Sequence, residues 1–126
     1  MARRVLIADD EPNIVQALAF LLQRRGLEVS IARDGGEALR MIEADRPDLV
    51  LLDVMMPVMS GHDVCQAVRA RDELRDVRIL MLSAKGYAAE VNRGLAIGAD
   101  VYITKPFSTK ELLAKVDQLL NLPDGV

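Results

Sequence analysis

Residues 49–53 read Leu-Val-Leu-Leu-Asp, and residues 5–10 read Val-Leu-Ile-Ala-Asp-Asp. Each stretch is a short run of consecutive apolar residues that ends in an acid. A strand with one face in water alternates apolar and polar residues, so an unbroken apolar run is typical of a parallel strand buried on both faces. The two stretches therefore predict a parallel sheet that is covered on both sides and has a polar edge where its strands end.

Further short apolar runs extend this pattern along the chain, and amphipathic segments separate them. The predicted strands are residues 5–8, 29–32, 49–52, 77–82 and 101–104. The predicted helices are residues 13–25, 36–44, 63–71, 88–97 and 110–121, the last of them with Ser108 or Thr109 as N-cap. Strands and helices that alternate, joined by right-handed crossovers, indicate an α/β fold: a five-stranded parallel sheet in (βα)5 order with helices on both faces.

The length and composition fit one globular domain with an aliphatic core. The chain has 126 residues, of which 51% are hydrophobic and 3% aromatic, and this composition excludes a disordered tail. The net charge of −3 argues against a nucleic-acid surface. No apolar run approaches the roughly 18 residues that a membrane span needs. The single Cys65 excludes a disulfide framework and, without a secretory signal, predicts a cytoplasmic setting.

Polar side chains follow the predicted strands at the edge where ligands bind in parallel α/β sheets. These residues are Asp9, Asp10 and Glu11 after the first strand, Asp53 after the third, Ser83 after the fourth and Lys105 after the fifth. Close carboxylates repel one another, and a hard divalent cation such as Mg²⁺ relieves that repulsion. A metal, a lysine and a hydroxyl that face one carboxylate form a phosphoryl-transfer site. We expect Asp53 to be the nucleophile, with Asp9 and Asp10 as metal ligands.

Together these motifs resemble the receiver domain of two-component response regulators. The motifs are Asp9-Asp10-Glu11, residues 53–61 (Asp-Val-Met-Met-Pro-Val-Met-Ser-Gly), Ser83-Ala84 and Lys105-Pro106-Phe107. The resemblance extends from Arg4 to about Asn121. It implies the flavodoxin-like receiver fold with strand order 2-1-3-4-5. It also implies a receiver domain over residues 1–121 and a C-terminal tail over residues 122–126.

The resemblance implies roles for three of the acidic residues and for Lys105. Asp53 is the implied phosphoacceptor, and its donor is a phosphohistidine on a sensor histidine kinase or a phosphotransfer protein. The implied Mg²⁺ ligands are Asp10, Asp53 and the backbone carbonyl of Met55. Asp9 is expected to act through a metal-bound water, and Lys105 is expected to hold one phosphoryl oxygen.

The resemblance also implies how the signal leaves the site. Ser83 is expected to donate a hydrogen bond to the phosphoryl group, and Ser83 and Tyr102 together form the implied switch. The readout is expected on the face of the fourth predicted helix, the fifth strand and the fifth predicted helix, which a downstream effector protein or domain contacts. A weak homodimer through the same face is a further expectation, although Val101 stands where similar domains often carry an acid. The peptide bond between Lys105 and Pro106 is expected to be cis.

Three other functions compete with this one. A phosphatase with an aspartyl nucleophile usually needs a second acid two residues later, where this chain has Met55. A nucleotide- or flavin-binding module needs a Gly-rich or Ser/Thr-rich loop after the first strand, where residues 9–12 are Asp-Asp-Glu-Pro. The alternative that stays open is a phosphorylation-independent interaction module of receiver type. We expect autocatalytic phosphorylation and dephosphorylation but no enzyme turnover, with slow hydrolysis because Met55 cannot hydrogen-bond the attacking water well.

Residues outside these motifs are expected to be structural. His62 follows Gly61 at a helix start, and we expect it to be exposed and ordinary. Cys65 is expected to be a small buried hydrophobe rather than a redox centre. Gly35 and Gly36 are expected to form a turn and helix cap, because they lack the spacing of a phosphate-binding loop.

Overall fold

The computed structural model describes residues 3–83 and 97–121, and over these residues it confirms the predicted alternation of strands and helices. The strands are β1 (Arg4–Ala8), β2 (Glu28–Ala32), β3 (Leu49–Asp53), β4 (Arg78–Ser83) and β5 (Val101–Thr104). The helices are α1 (Pro12–Arg24), α2 (Gly35–Asp45), α3 (Gly61–Arg69) and α4 (Thr109–Leu120), with a short 3-10 helix at Asp72–Leu74. The helix predicted over residues 88–97 lies outside the described residues, except for Ile97, which is in a turn.

The strands form one parallel sheet in the order β2-β1-β3-β4-β5, the order that the resemblance implied. In this sheet β3 lies between β1 and β4, with Leu52 opposite Ala8 on one side and Asp53 opposite Leu82 on the other. All five residues of β3 are buried, as its unbroken apolar run predicts. The carboxyl ends of β1, β3 and β4 therefore lie side by side at one edge of the sheet, with Asp53 on the central strand.

Helices cover both faces of the sheet and give the protein two aliphatic cores. On one face, strand residues pack against α2 and α3; this core includes Leu6, Val50, Met81, Ala38, Ile42, Val64 and Val68. On the other face, strand residues pack against α1 and α4; this core includes Ile7, Leu51, Leu80, Leu18, Leu22, Leu112 and Val116. Each fully buried aliphatic side chain contributes about 1.5–3 kcal/mol to folding. The sheet is thus a rigid frame for the side chains at its edge.

Helix starts follow from local sequence chemistry. Ser108 is the N-cap of α4, and its hydroxyl accepts a hydrogen bond from the backbone N–H of Glu111 at 3.0 Å. Helix α1 begins one residue before its predicted start, at Pro12, because proline is favoured in a first turn that needs no N–H donor. Within the described ranges, none of the helices has the length and apolar character that crossing a membrane requires.

Candidate functional site

Three carboxylates converge at the carboxyl edge of the sheet, as predicted. Asp9 and Asp10 directly follow β1, and Asp53 is the last residue of the neighbouring strand β3. One oxygen from each of the three carboxylates lies within 4.8 Å of the others. Asp9 is fully buried and Asp53 is 4% exposed, whereas Asp10 faces solvent. Two of the three negative charges are therefore held out of water in a small space.

Lys105 is the cation that faces this cluster. Its Nζ lies 3.0 Å from Oδ2 of Asp9 and 3.5 Å from Oδ1 of Asp53, and its side chain is 10% exposed. The Lys105–Pro106 peptide bond is cis, as expected. Burial alone would lower the pKa of Lys105, but the hydrogen bond to Asp9 and the charges of Asp53 and Asp9 outweigh burial and raise it. Lys105 therefore stays protonated as a fixed positive charge.

The carboxylates still carry more negative charge than Lys105 can balance. The pKa of Asp53 is raised from its ordinary 3.8 to about 6, first because the carboxyl is buried and second because Asp9 is negative. Lys105 and the backbone N–H of Met55, which donates to Asp53 at 3.4 Å, lower this pKa only in part. A divalent cation would supply the missing charge, and carboxylate oxygens are the ligands that Mg²⁺ prefers. The donor set thus fits a magnesium site.

Glu11 is a further acidic side chain at the site, and it was predicted only to lie near the edge. Its Oε1 is 3.5 Å from Nζ of Lys105, and its backbone N–H donates to Oδ1 of Asp9 at 2.9 Å. Because Glu11 is 59% exposed, its charge is screened by water far more than that of Asp9. The backbone contact matters more, since it fixes the orientation of the Asp9 carboxylate.

Ser83 and Tyr102 lie on the adjacent strands β4 and β5. Ser83 is the last residue of β4, is 2% exposed and is paired with Thr104 of β5. Tyr102 lies two residues before Thr104 and therefore on the same face of the sheet as Ser83. The Tyr102 ring is half-buried against the α2/α3 core, and its enclosed hydroxyl has no hydrogen-bond partner within residues 3–83 and 97–121.

The loop of residues 54–60, called here the site loop, connects β3 to α3. The N–H of Gly61 donates to the carbonyl of Val54 at 2.8 Å, so the loop closes tightly. A Cβ at position 61 would lie 2.3 Å from the carbonyl oxygen of Asp53, so only glycine permits this approach. The same approach buries the first turn of α3, and the expectation that His62 is exposed was wrong: it is 7% exposed. Cys65 is buried and unoxidised, as expected.

Val58 of the site loop has an unusual backbone that no sequence signal predicted. Its φ is +72°, and the N–H of Met59 donates to the carbonyl of Pro57 at 2.9 Å, which makes residues 57–59 a tight γ-turn. A β-branched residue in this region is a genuine outlier, and such strain tends to occur at functional sites. The Val58 side chain is 81% exposed, so packing does not explain its presence.

Comparison with known proteins agrees with the fold. A family model described as the response regulator receiver domain matches residues 5–117. The chemotaxis response regulator CheY4 of Vibrio cholerae is 36% identical with a TM-score of 0.89, over 95% of this chain and 100% of that chain. The receiver domain of Francisella response regulator 1452 is 33% identical with a TM-score of 0.88, over 94% of this chain and 97% of that chain. A chain of the CheX–CheY–BeF3–Mg²⁺ complex from Borrelia burgdorferi is 30% identical with a TM-score of 0.86, over 93% and 88%.

Proposed function

The chain belongs to the family of response regulator receiver domains, and from this membership we propose that it relays a signal by accepting a phosphoryl group on Asp53. The donor is a phosphohistidine of a sensor histidine kinase or a phosphotransfer protein. One observation carries the proposal: Asp53 is almost fully buried at the end of the central strand, 3.5 Å from Lys105 and beside two further carboxylates. A carboxylate held among like charges costs stability, so chemistry rather than folding explains its position.

The charges around Asp53 suit it to act as the nucleophile. Its pKa of about 6 leaves it ionised above neutral pH. An Asp53 oxygen bonds to phosphorus, the phosphorus–nitrogen bond of the phosphohistidine breaks, and the electron pair of that bond stays on the imidazole nitrogen. Lys105 holds one oxygen of the transferring group and reduces its negative charge. The product is an acyl phosphate on Asp53.

We propose that Mg²⁺ is the cofactor of this transfer. Asp10, Asp53 and the backbone carbonyl of Met55 would hold the ion, and Asp9 would contact it through a water. The proposal is supported by the carboxylate oxygens that lie within 4.8 Å of one another and by the charge that Lys105 leaves unbalanced. When bound, Mg²⁺ supplies positive charge that offsets the charge of the phosphoryl group.

The switch that we propose comprises Ser83 and Tyr102. The Ser83 side chain moves toward the phosphoryl group and its hydroxyl donates to a phosphoryl oxygen. The Tyr102 ring then fills the space that Ser83 occupied. The hydroxyl of Tyr102, which is enclosed and has no hydrogen-bond partner among residues 3–83 and 97–121, supports this step. An unsatisfied buried group costs about 1–3 kcal/mol, so a second position of the ring that satisfies it would be favourable. The output then passes through β5 and α4 to a downstream effector protein or domain, or to a second copy in a weak homodimer.

The proposed domain covers residues 1–121. It includes the whole family match over residues 5–117 and helix α4 to its C-cap, Asn121. Such a domain is a signalling module whose only catalysis is its own phosphorylation and dephosphorylation. A cytoplasmic setting, where histidine kinases carry their phosphohistidine, completes the proposal.

The test is to incubate the protein with Mg²⁺ and acetyl phosphate and to record its intact mass. We expect one added phosphoryl group, which is lost in the Asp53→Asn variant and in a sample with EDTA. Asp63→Asn is a suitable matched control, because Asp63 is exposed in the first turn of α3, outside the carboxylate cluster. Persistence of the added mass in Asp53→Asn would refute the assignment. No modification by acetyl phosphate or by a phosphorylated kinase would favour the phosphorylation-independent module.

A further inference from the structure

The site loop rests on the first turn of helix α2. The backbone N–H of Gly35, the first residue of α2, donates to the carbonyl of Pro57 at 3.2 Å. Met59 packs against the α2/α3 core, so the loop also contacts this core through a side chain. Among the described residues, this N–H donation from Gly35 is the one backbone hydrogen bond that joins residues 55–59 to a helix or strand. The middle of the loop is therefore held in place by α2.

This contact is possible only because residue 35 is glycine. A Cβ at position 35 would lie 2.0 Å from the carbonyl oxygen of Met59 and 2.7 Å from its carbonyl carbon and Cβ. These are backbone atoms and the atom next to the backbone, so no rotation of a flexible side chain relieves the clash. At Gly36 the nearest atoms are side-chain atoms, Cγ1 of Val58 at 3.1 Å and Oδ1 of Asp34 at 3.3 Å. A Cβ at position 36 therefore requires side chains, and not the backbone of the site loop, to shift by a few tenths of an ångström.

Both ends of the site loop are held by hydrogen bonds, so a displacement of its middle residues must change the backbone conformation of the loop. The N–H of Val54 donates to Leu82 at 2.9 Å, and the carbonyl of Val54 accepts from Gly61 at 2.8 Å. Between these anchors the chain already contains the strained turn at Val58. A displacement of Met59 is therefore shared by the residues before it, which include Met55.

We propose that Gly35 is a positioning residue for the site: its backbone contact with the site loop holds the Met55 carbonyl where it binds Mg²⁺. This role rests on the function proposed above. It makes Mg²⁺ affinity depend on Gly35, a residue that belongs neither to the acidic cluster nor to the strand ends. Groups bonded directly to a metal ligand change metal affinity by about 10–100-fold when they are altered. Gly35 acts on Met55 indirectly, through Pro57 and Met59, so we expect an effect at the lower end of that range. The contact with α2 therefore contributes to the Mg²⁺ affinity that the carboxylates provide.

The test compares Gly35→Ala with Gly36→Ala, the same substitution one residue apart in the same helical turn. Mg²⁺ is titrated into each folded protein, and the dissociation constant is obtained from the backbone amide signals of residues 53–56 and 58–61 in NMR spectra. We expect Gly35→Ala to raise the dissociation constant at least about tenfold. We expect Gly36→Ala to change it less than about twofold while gaining helix stability. A purely structural role for Gly35 would lower the free energy of unfolding and leave the Mg²⁺ affinity of the folded protein unchanged.

A second pair of variants keeps the test decisive if Gly35→Ala does not fold. Asp34 caps α2 by accepting from the N–H of Glu37 at 2.7 Å. Asp34→Ala frays this turn, whereas Asp34→Asn loses the same charge and keeps the cap. We expect a several-fold weaker Mg²⁺ affinity for the alanine variant than for the asparagine variant, and equal affinities would overturn the inference. If the wild-type protein itself bound no Mg²⁺ and accepted no phosphoryl group, the proposed function would fail instead.

Discussion

Replacement of Asp53 by asparagine is expected to stabilise the metal-free protein, and by an amount that depends on pH. The Asp53 carboxyl has a pKa of about 6 in the folded protein and an ordinary pKa of 3.8. At about 1.4 kcal/mol per pKa unit, this difference means that ionised Asp53 destabilises the folded state by about 3 kcal/mol. Asparagine has nearly the same shape and no charge, so the variant escapes this cost. The effect should be largest where Asp53 is fully ionised.

The sign follows from proton binding in the two states. Because the pKa is higher in the folded state, the folded protein binds more protons than the unfolded chain between the two pKa values, from 3.8 to about 6. The folded state is therefore favoured by the protonated carboxyl of Asp53. This contribution to stability is fully present below pH 3.8 and is lost as the pH rises through about 6, where Asp53 ionises in the folded protein. The advantage of the variant should grow from less than about 1 kcal/mol near pH 4 to about 3 kcal/mol above pH 7.

The assay is urea unfolding followed by circular dichroism, with EDTA present, at several pH values between these limits. Asp45→Asn is the control, because Asp45 is exposed at the end of α2 that lies away from the site. Its effect should stay within about 0.5 kcal/mol at every pH. Added Mg²⁺ should stabilise the wild-type protein more than the Asp53→Asn variant, because the variant lacks one proposed ligand. A stability difference between wild type and Asp53→Asn that is flat across the pH range would refute the reasoning.

Three further predictions follow from particular contacts. Val58→Gly should raise the free energy of unfolding by about 1 kcal/mol in urea, since glycine adopts the φ of +72° without strain; a gain of the same size in Val58→Ala would show that the backbone is not the cause. Asp117→Ala should lower the free energy of unfolding by about 2 kcal/mol or more, because Asp117 is 4% exposed and pairs with Arg25 across α1 and α4; a change below about 0.5 kcal/mol would contradict this. The phosphoryl group should be hydrolysed slowly, because the thioether of Met55 is a poor partner for the attacking water; intact mass after removal of the donor measures the decay. Met55→Asn should shorten the lifetime several-fold, and a wild-type half-life of seconds at room temperature would refute the prediction.

Much of the fold was predictable because the residues of each strand themselves indicate which of its faces are buried. All five residues of β3 are buried, and its unbroken apolar run indicates that directly. The convergence of Asp9, Asp53 and Lys105 follows from one rule, that the carboxyl ends of parallel strands share an edge. The strand order came from resemblance alone, because apolar periodicity does not tell which strands are neighbours.

The features that sequence reasoning missed depend on contacts between distant segments. A valine gives no local signal for a left-handed backbone, and Val58 adopts one because the loop around it is fixed at both ends. His62 was expected to be exposed because it follows a glycine at a helix start. It is buried because Gly61 lets that helix approach the carbonyl of Asp53. Gly35 and Gly36 were predicted to form a turn and helix cap, but they are the first residues of α2 and Asp34 is its N-cap. The close approach of Gly35 to Met59 depends on how α2 and the site loop pack together, which no local pattern indicates.

The negative charge that Lys105 leaves unbalanced explains both the cost of the site in stability and its proposed chemistry. If Asp53 were fully paired, its pKa would be low, and a cation or a phosphoryl group would gain little by binding there. Lys105 instead balances only part of the charge of Asp9, Asp10 and Asp53, so the metal-free site is left with unrelieved repulsion. Mg²⁺, the proposed cofactor, would relieve that repulsion, and its binding free energy would therefore include energy that folding has stored at the sheet edge. The rigid aliphatic cores on both faces allow this storage, because they hold the carboxylates together against their repulsion.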